Sequence, residues 1–174
     1  MKTPLVALAL VVSLAAGVAV AAPPARPGAA APAAFERLKG LAGEWSGMAT
    51  HGGTPVPVKV GYRVTAAGTT VVETLFEGTP HEMVTMYTVD GGRVALTHYC
   101  AAGNQPRMRA RAGGGPGRLV FEFAGGTGFD PRRDAHMHDA TLTFVDADHL
   151  HAEWTSWERG RPAGVAVFEL TRAK

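Results

Sequence analysis

From residue 44 onward, apolar and polar residues alternate with a period of two, and glycine, proline or aspartate interrupts the pattern every eight to twelve residues. Ten runs read as strands: 44–51, 56–65, 69–77, 83–89, 93–100, 107–112, 118–123, 136–145, 149–158 and 164–172. The breaks include Gly52-Gly53, Ala67-Gly68, Gly78-Thr79-Pro80, Asp90-Gly91-Gly92, the cluster Gly113 to Gly117, and Asp146-Ala147-Asp148. No helical crossover of adequate length separates any pair of these runs, which excludes parallel βαβ topology. Closing ten antiparallel strands on themselves leaves no unpaired edge. The expectation is an all-β, antiparallel up-and-down barrel of about ten strands. Phe35, Leu38 and Leu41 have a helical spacing interrupted by Gly40, so a short helix precedes it.

The residues ahead of this pattern have other uses. Lys2, the apolar run from Leu5 to Val20 and the small-x-small triplet Ala19-Val20-Ala21 have the features of a secretory signal peptide over residues 1–21. The run is short for a membrane span and proline, not a basic cluster, follows it; a retained anchor is the alternative. Residues 22–34 are almost entirely alanine and proline, a composition with nothing to bury, and read as a linker. The barrel domain is then 35–174. The implied location is exported, either periplasmic or extracellular, with no stable membrane span after cleavage.

Charge and cysteine content remove several classes. Seventeen Lys+Arg against fifteen Asp+Glu give a formal net charge of +2, without the basic surplus a nucleic-acid binder of this size needs. The single cysteine, Cys100, excludes an internal disulfide framework and any multi-cysteine metal site.

Connections in an up-and-down barrel alternate between its two ends. One end receives the tight turns at 66–68, 90–92, 113–117 and 146–148, together with the helix. The other receives 52–55, 78–82, 101–106, 124–135 and 159–163, which are longer on average, and is taken as the mouth. Five of the seven histidines fall near it: His51, His81, His98, His136 and His138.

Side-chain parity then places residues. Val94, Leu96, His98 and Cys100 share a face that reads as inward, which aims His98 into the barrel. A three-residue turn at 146–148 sets Ala140, Leu142 and Phe144 beside Leu150, Ala152 and Trp154 on a buried face. The same register puts His138 opposite Ser156 and His136 opposite Glu158, inward and near the mouth. Val58, Val60, Tyr62, Val64, Val94, Leu96, Leu142, Phe144 and Trp154 are expected to line the interior. The candidate ligand-binding set is His98, Cys100, His136, His138, Trp154, Ser156 and Glu158; a solvated rim of ordinary polar residues is the plainer reading.

Gly43-Glu44-Trp45 after a short helix resembles the Gly-x-Trp signature that opens the first strand of lipocalin-like (calycin) barrels. With Gly47 the pattern is similar to the opening of small bacterial lipocalin-like and nitrobindin-like families. The block from Thr97 to Met108 resembles one found in exported proteins of this kind. For a nitrobindin-like barrel the resemblance implies haem, ligated by a histidine near the chain's end. The segment Gly164 to Leu170 has none, so no cofactor is expected; His98 or His138 would have to substitute from another wall.

His136 and His138 with His98 or Glu158 is the only metal grouping the register allows, because His149 and His151 point outward; no metal is expected. Ser156, His138 and Glu158 approach a hydrolase-like set, but no nucleophile elbow accompanies them, and His98 and Cys100 are spaced too widely for direct activation. No catalytic residue is assigned. Arg107, Arg109 and Arg111 form a ladder expected to face solvent. The glycine clusters precede no helix and are not phosphate loops. The function these features favour is non-enzymatic binding of a small, largely apolar molecule. A barrel filled by its own side chains, serving as a structural or interaction domain of the envelope, is the alternative. A haem-binding barrel or a small hydrolase-like enzyme ranks below both.

Overall fold

The computed structural model describes residues 32–112, 115 and 117–174. The signal segment 1–21, most of the linker and most of the glycine turn at 113–117 lie outside the described residues.

Helix α1 spans Ala33–Lys39 and follows Pro32 at its N-cap. The linker is therefore shorter than expected at its C-terminal end. Ala33 and Ala34 enter the helix because alanine has the highest intrinsic helix propensity and Pro32 is extended before them. Phe35, Leu38 and the following Leu41 are buried in the barrel core, so the helix closes one end.

Ten strands follow: β1 Gly43–His51, β2 Val56–Thr65, β3 Thr70–Leu75, β4 Met83–Asp90, β5 Arg93–Tyr99, β6 Gln105–Ala110, β7 Arg118–Thr127, β8 His136–Phe144, β9 His149–Glu158 and β10 Arg161–Arg172. Each pairs antiparallel with its chain neighbour, and β1 pairs with β10 to close the barrel. The boundaries differ from the periodicity reading mostly at the mouth. β6 begins at Gln105 and β7 continues to Thr127, with a register shift between Pro106 and Met108 where the alternation breaks. β10 begins at Arg161 because Arg159 and Gly160, with φ of 53° and 69°, make a two-residue turn whose twist suits a tight hairpin. The longer loop expected at 159–163 is thus a short one.

The glycines around Trp45 are both required. Gly43 has φ of 126°, a conformation that side chains rarely adopt. A Cβ on Gly47 would lie 1.8 Å from the carbonyl oxygen of Glu169, so β1 and β10 approach this closely only over glycine. Trp45 itself is buried, and its Nε1 donates to the Leu41 carbonyl at 2.8 Å.

The helix-side half of the barrel is filled. Trp45, Leu38, Tyr87, Phe121, Met108 and Leu142 are all fully buried there. Val58, Val60, Tyr62, Val94, Leu96, Leu142 and Trp154 face inward and are buried as expected. Phe144, the last residue of β8, is only half-buried, and Val64 near the end of β2 is exposed, because both sit at the barrel's edge. Arg107, Arg109 and Arg111 face solvent, where Arg109 pairs with Asp90 and Arg111 with Glu122.

Candidate functional site

The mouth-side half is hollow. A cavity of about 300 Å³ opens among the ends of β1, β2, β3, β4, β8, β9 and β10. Its walls are largely Ala49, Val56, Leu75, Phe76, Met83, Met137, Trp154, Ala166 and Phe168, with Thr50, His51 and Thr54 also lining it and His98 from β5. No Lys, Arg, Asp or Glu lines it. Phe76 has φ of 55°, a conformation costing a bulky residue roughly 1–2 kcal/mol. It turns the chain out of β3 and packs its ring 6.3 Å from that of Phe168 at the cavity wall.

The floor rests on a buried polar layer. In the strand register Glu73 faces Tyr62 on one side and Thr85 on the other, and Thr85 faces His98. All four are buried, with Tyr87. Tyr62 donates to Glu73 Oε1 at 2.6 Å and Tyr87 donates to Oε2 at 2.8 Å. Thr85 Oγ1 and His98 Nδ1 share a hydrogen bond of 2.9 Å. Burial raises the Glu73 carboxyl above its ordinary pKa, opposed by the hydrogen bonds from Tyr62, Tyr87 and Thr85. Burial, and then the Glu73 charge, push both phenols well above 10.

His98 is the member of this layer that also lines the cavity. Burial pushes its pKa down to about 4, so the imidazole is neutral at physiological pH. Its ring lies 4.9 Å from that of Trp154, and its Nε2 has no hydrogen-bond partner. A buried acceptor or donor left in that state costs about 1–3 kcal/mol.

His136 and His138 lie elsewhere. A β-bulge between Met137 and Asp139 shifts the β8–β9 register, so His136 faces Trp157 and Met137 faces Ser156. The expected pairs His138 with Ser156 and His136 with Glu158 do not form. Met137 reaches the cavity wall, and the two histidines join an aromatic cluster instead. The His138 ring stacks between Phe123, 4.4 Å away, and Trp157, 3.9 Å away. His136 Nδ1 contacts the Asp134 carbonyl, which only accepts, so Nδ1 donates; Nε2 then accepts from His138 Nδ1 at 3.0 Å. Burial holds His138 below its ordinary pKa, Asp139 opposes this, and the nearby His136 adds to it.

The remaining sequence-derived residues are dispersed. Ser156 Oγ donates to the Gly164 carbonyl at 3.2 Å, Glu158 is exposed beside the Arg159–Gly160 turn, and half-buried Cys100 begins the turn after β5. No hydrogen bond joins Ser156, His138 and Glu158. His149 and His151 face outward and contact Asp146 and Glu169. Of the expected binding residues, the cavity brings together His98 and Trp154. The sequence pattern marks Tyr62 only as an interior wall residue and does not single out Glu73, Tyr87 and Thr85, although the run Val71-x-Glu73-x-Leu75 places a carboxylate on an apolar face.

No protein-family model matches the chain, and no curated protein is significantly similar to it. Solved structures do resemble it. Rv2717c from M. tuberculosis superposes with a TM-score of 0.58 at 19% identity, covering 82% of this chain and 98% of that one. A protein of unknown function from the DUF3598 family of Nostoc punctiforme superposes with a TM-score of 0.52 at 14% identity. That match covers 78% of this chain, which spans about half (49%) of the Nostoc protein. The likeness is one of fold.

The residues present do not fit a haem. β10 carries no histidine. The His98 ring packs 4.9 Å from that of Trp154 at the cavity wall, and the His138 ring is sandwiched between two aromatic faces. Among the described residues no group of three or more His, Cys, Asp or Glu side chains is placed to hold a metal ion.

Proposed function

We propose that this protein is an exported, lipocalin-like barrel that takes a small, largely apolar molecule into its mouth-side cavity. The cavity carries the reading: about 300 Å³, apolar-walled and without charged lining residues, in a barrel whose other half is densely filled. Pockets for small molecules have this character, with few polar groups among apolar walls, and this one is at the small end of their range. Export rests on Lys2, the apolar run and Ala19-Val20-Ala21. Binding is favoured over catalysis because, near the mouth, Ser156 and His138 are engaged with separate partners and Glu158 is exposed to solvent.

The test is uptake of 1-aminonaphthalene, a small uncharged fluorescent probe in keeping with the cavity volume, by the mature protein. Native mass spectrometry of the same preparation should reveal a co-purifying small molecule. Ala166→Phe and Ala49→Phe each introduce a ring into the cavity and should abolish uptake while preserving a β-rich circular dichroism spectrum. Protein that never takes up a probe and always purifies ligand-free would instead favour the structural or interaction domain.

A further inference from the structure

We infer that the cavity selects an uncharged apolar alcohol or phenol, whose hydroxyl donates to His98 Nε2; this rests on the binding reading above. His98 is 2% exposed, lines the cavity, and has one ring nitrogen engaged and the other without a partner. The engaged nitrogen fixes what the other needs.

Tyr62 and Tyr87 each donate to a different oxygen of Glu73. Thr85 lies between Glu73 and His98, directly opposite each in the strand register, so its hydroxyl sits between a carboxyl and the imidazole. A threonine hydroxyl has a single proton. With that proton directed at Glu73, the Thr85 oxygen accepts from His98 Nδ1–H. The neutral imidazole then carries its lone pair on Nε2, which requires a donor from the ligand.

The walls narrow the donor further. A carboxylate would enter an apolar cavity with no Lys or Arg to meet it. An ammonium would lose its water for one neutral acceptor. A hydroxyl on an apolar body satisfies Nε2 and leaves nothing else unpaired at the floor. About 300 Å³, at roughly 30 Å³ per water-sized group, admits a body of about ten heavy atoms. Trp154 beside His98 offers a flat face for an aromatic one.

The experiment compares 4-propylphenol, its methyl ether 4-propylanisole and 4-propylbenzoate by displacement of 1-aminonaphthalene. The phenol should bind about tenfold more tightly than the ether, and the benzoate most weakly. His98→Leu should erase the advantage of the phenol while the ether still binds. Independently, 15N-histidine NMR of the native protein should give the Nδ1–H tautomer for His98, with the Nε2 resonance shifting on addition of the phenol. That measurement decides the matter should His98→Leu fail to fold. Equal binding of phenol and ether, or an Nε2–H tautomer, overturns the hydroxyl inference and leaves the binding reading standing. Failure of the probe and all three compounds to bind would sink the binding reading itself.

Discussion

The guanidinium of Arg172 lies over the indole of Trp45, with Cζ 4.4 Å from the ring centroid, and the two residues are direct partners in the β1–β10 register. Arg172 also donates to the carbonyls of Gly40 and Ala42 at 2.8 and 2.9 Å, the segment that joins α1 to β1. One side chain near the chain's end therefore fastens the helix that closes the barrel. Lysine can keep the charge but not the planar fork that reaches two carbonyls while covering the ring. Arg172→Lys should cost about 1–3 kcal/mol, read as a lower urea midpoint with an unchanged m-value.

Gly47 has no room for a side chain, because its Cβ would lie 1.8 Å from the Glu169 oxygen. The clash is with backbone, so no rotamer change relieves it. Gly47→Ala should cost about 3 kcal/mol or more, or prevent folding. Gly53, whose Cβ would find nothing closer than 4.0 Å, is the control and should tolerate alanine. Equal midpoints for the two variants would refute the close-approach account.

The barrel was legible in the sequence because nearly every run alternates cleanly, and His98 was placed by Val94 and Leu96 on its own face against Arg93, Thr97 and Tyr99 on the other. The β8–β9 register was correct from Phe144 back to Asp139 and failed at the bulge. Its trace was present: the inward residues Ala140, Leu142 and Phe144 are even-numbered, whereas the next large apolar residue toward the mouth, Met137, is odd. A change of phase within one strand is what an extra residue produces. Glu73, Thr85 and Tyr87 were missed for a different reason. On β4 the outward residues Val84 and Met86 are as apolar as the inward ones, so parity alone did not choose a face.

Stability should depend on His98 in mild acid. The unfolded imidazole takes up a proton near pH 6.5, whereas burial holds the folded one at about 4. Between those values the unfolded chain binds more protons, so folding stability falls as pH drops from 6.5 to 4. The full shift corresponds to roughly 3 kcal/mol. Urea unfolding of the wild type and His98→Leu at intervals across this window should give a flatter acid limb for the variant. Parallel curves would remove His98 as the source.

Glu73 acts with the opposite sign. Burial raises its folded pKa above 4.5, so the native state holds the extra proton, and stability falls as pH rises from 4.5 through the folded value. Glu73→Gln keeps the shape and an oxygen acceptor while removing the charge, and should flatten this limb with little other change in stability. Glu73→Ala is different in kind. It strands the Tyr62 and Tyr87 hydroxyls in the core at about 1–3 kcal/mol each, and a cavity adds to that. Loss of about 4 kcal/mol or more for alanine, against about 1 kcal/mol or less for glutamine, is the expected pattern near pH 7. An alanine variant as stable as the wild type would mean that the two phenols find other partners, and the floor of the cavity would not be held by the carboxyl at position 73.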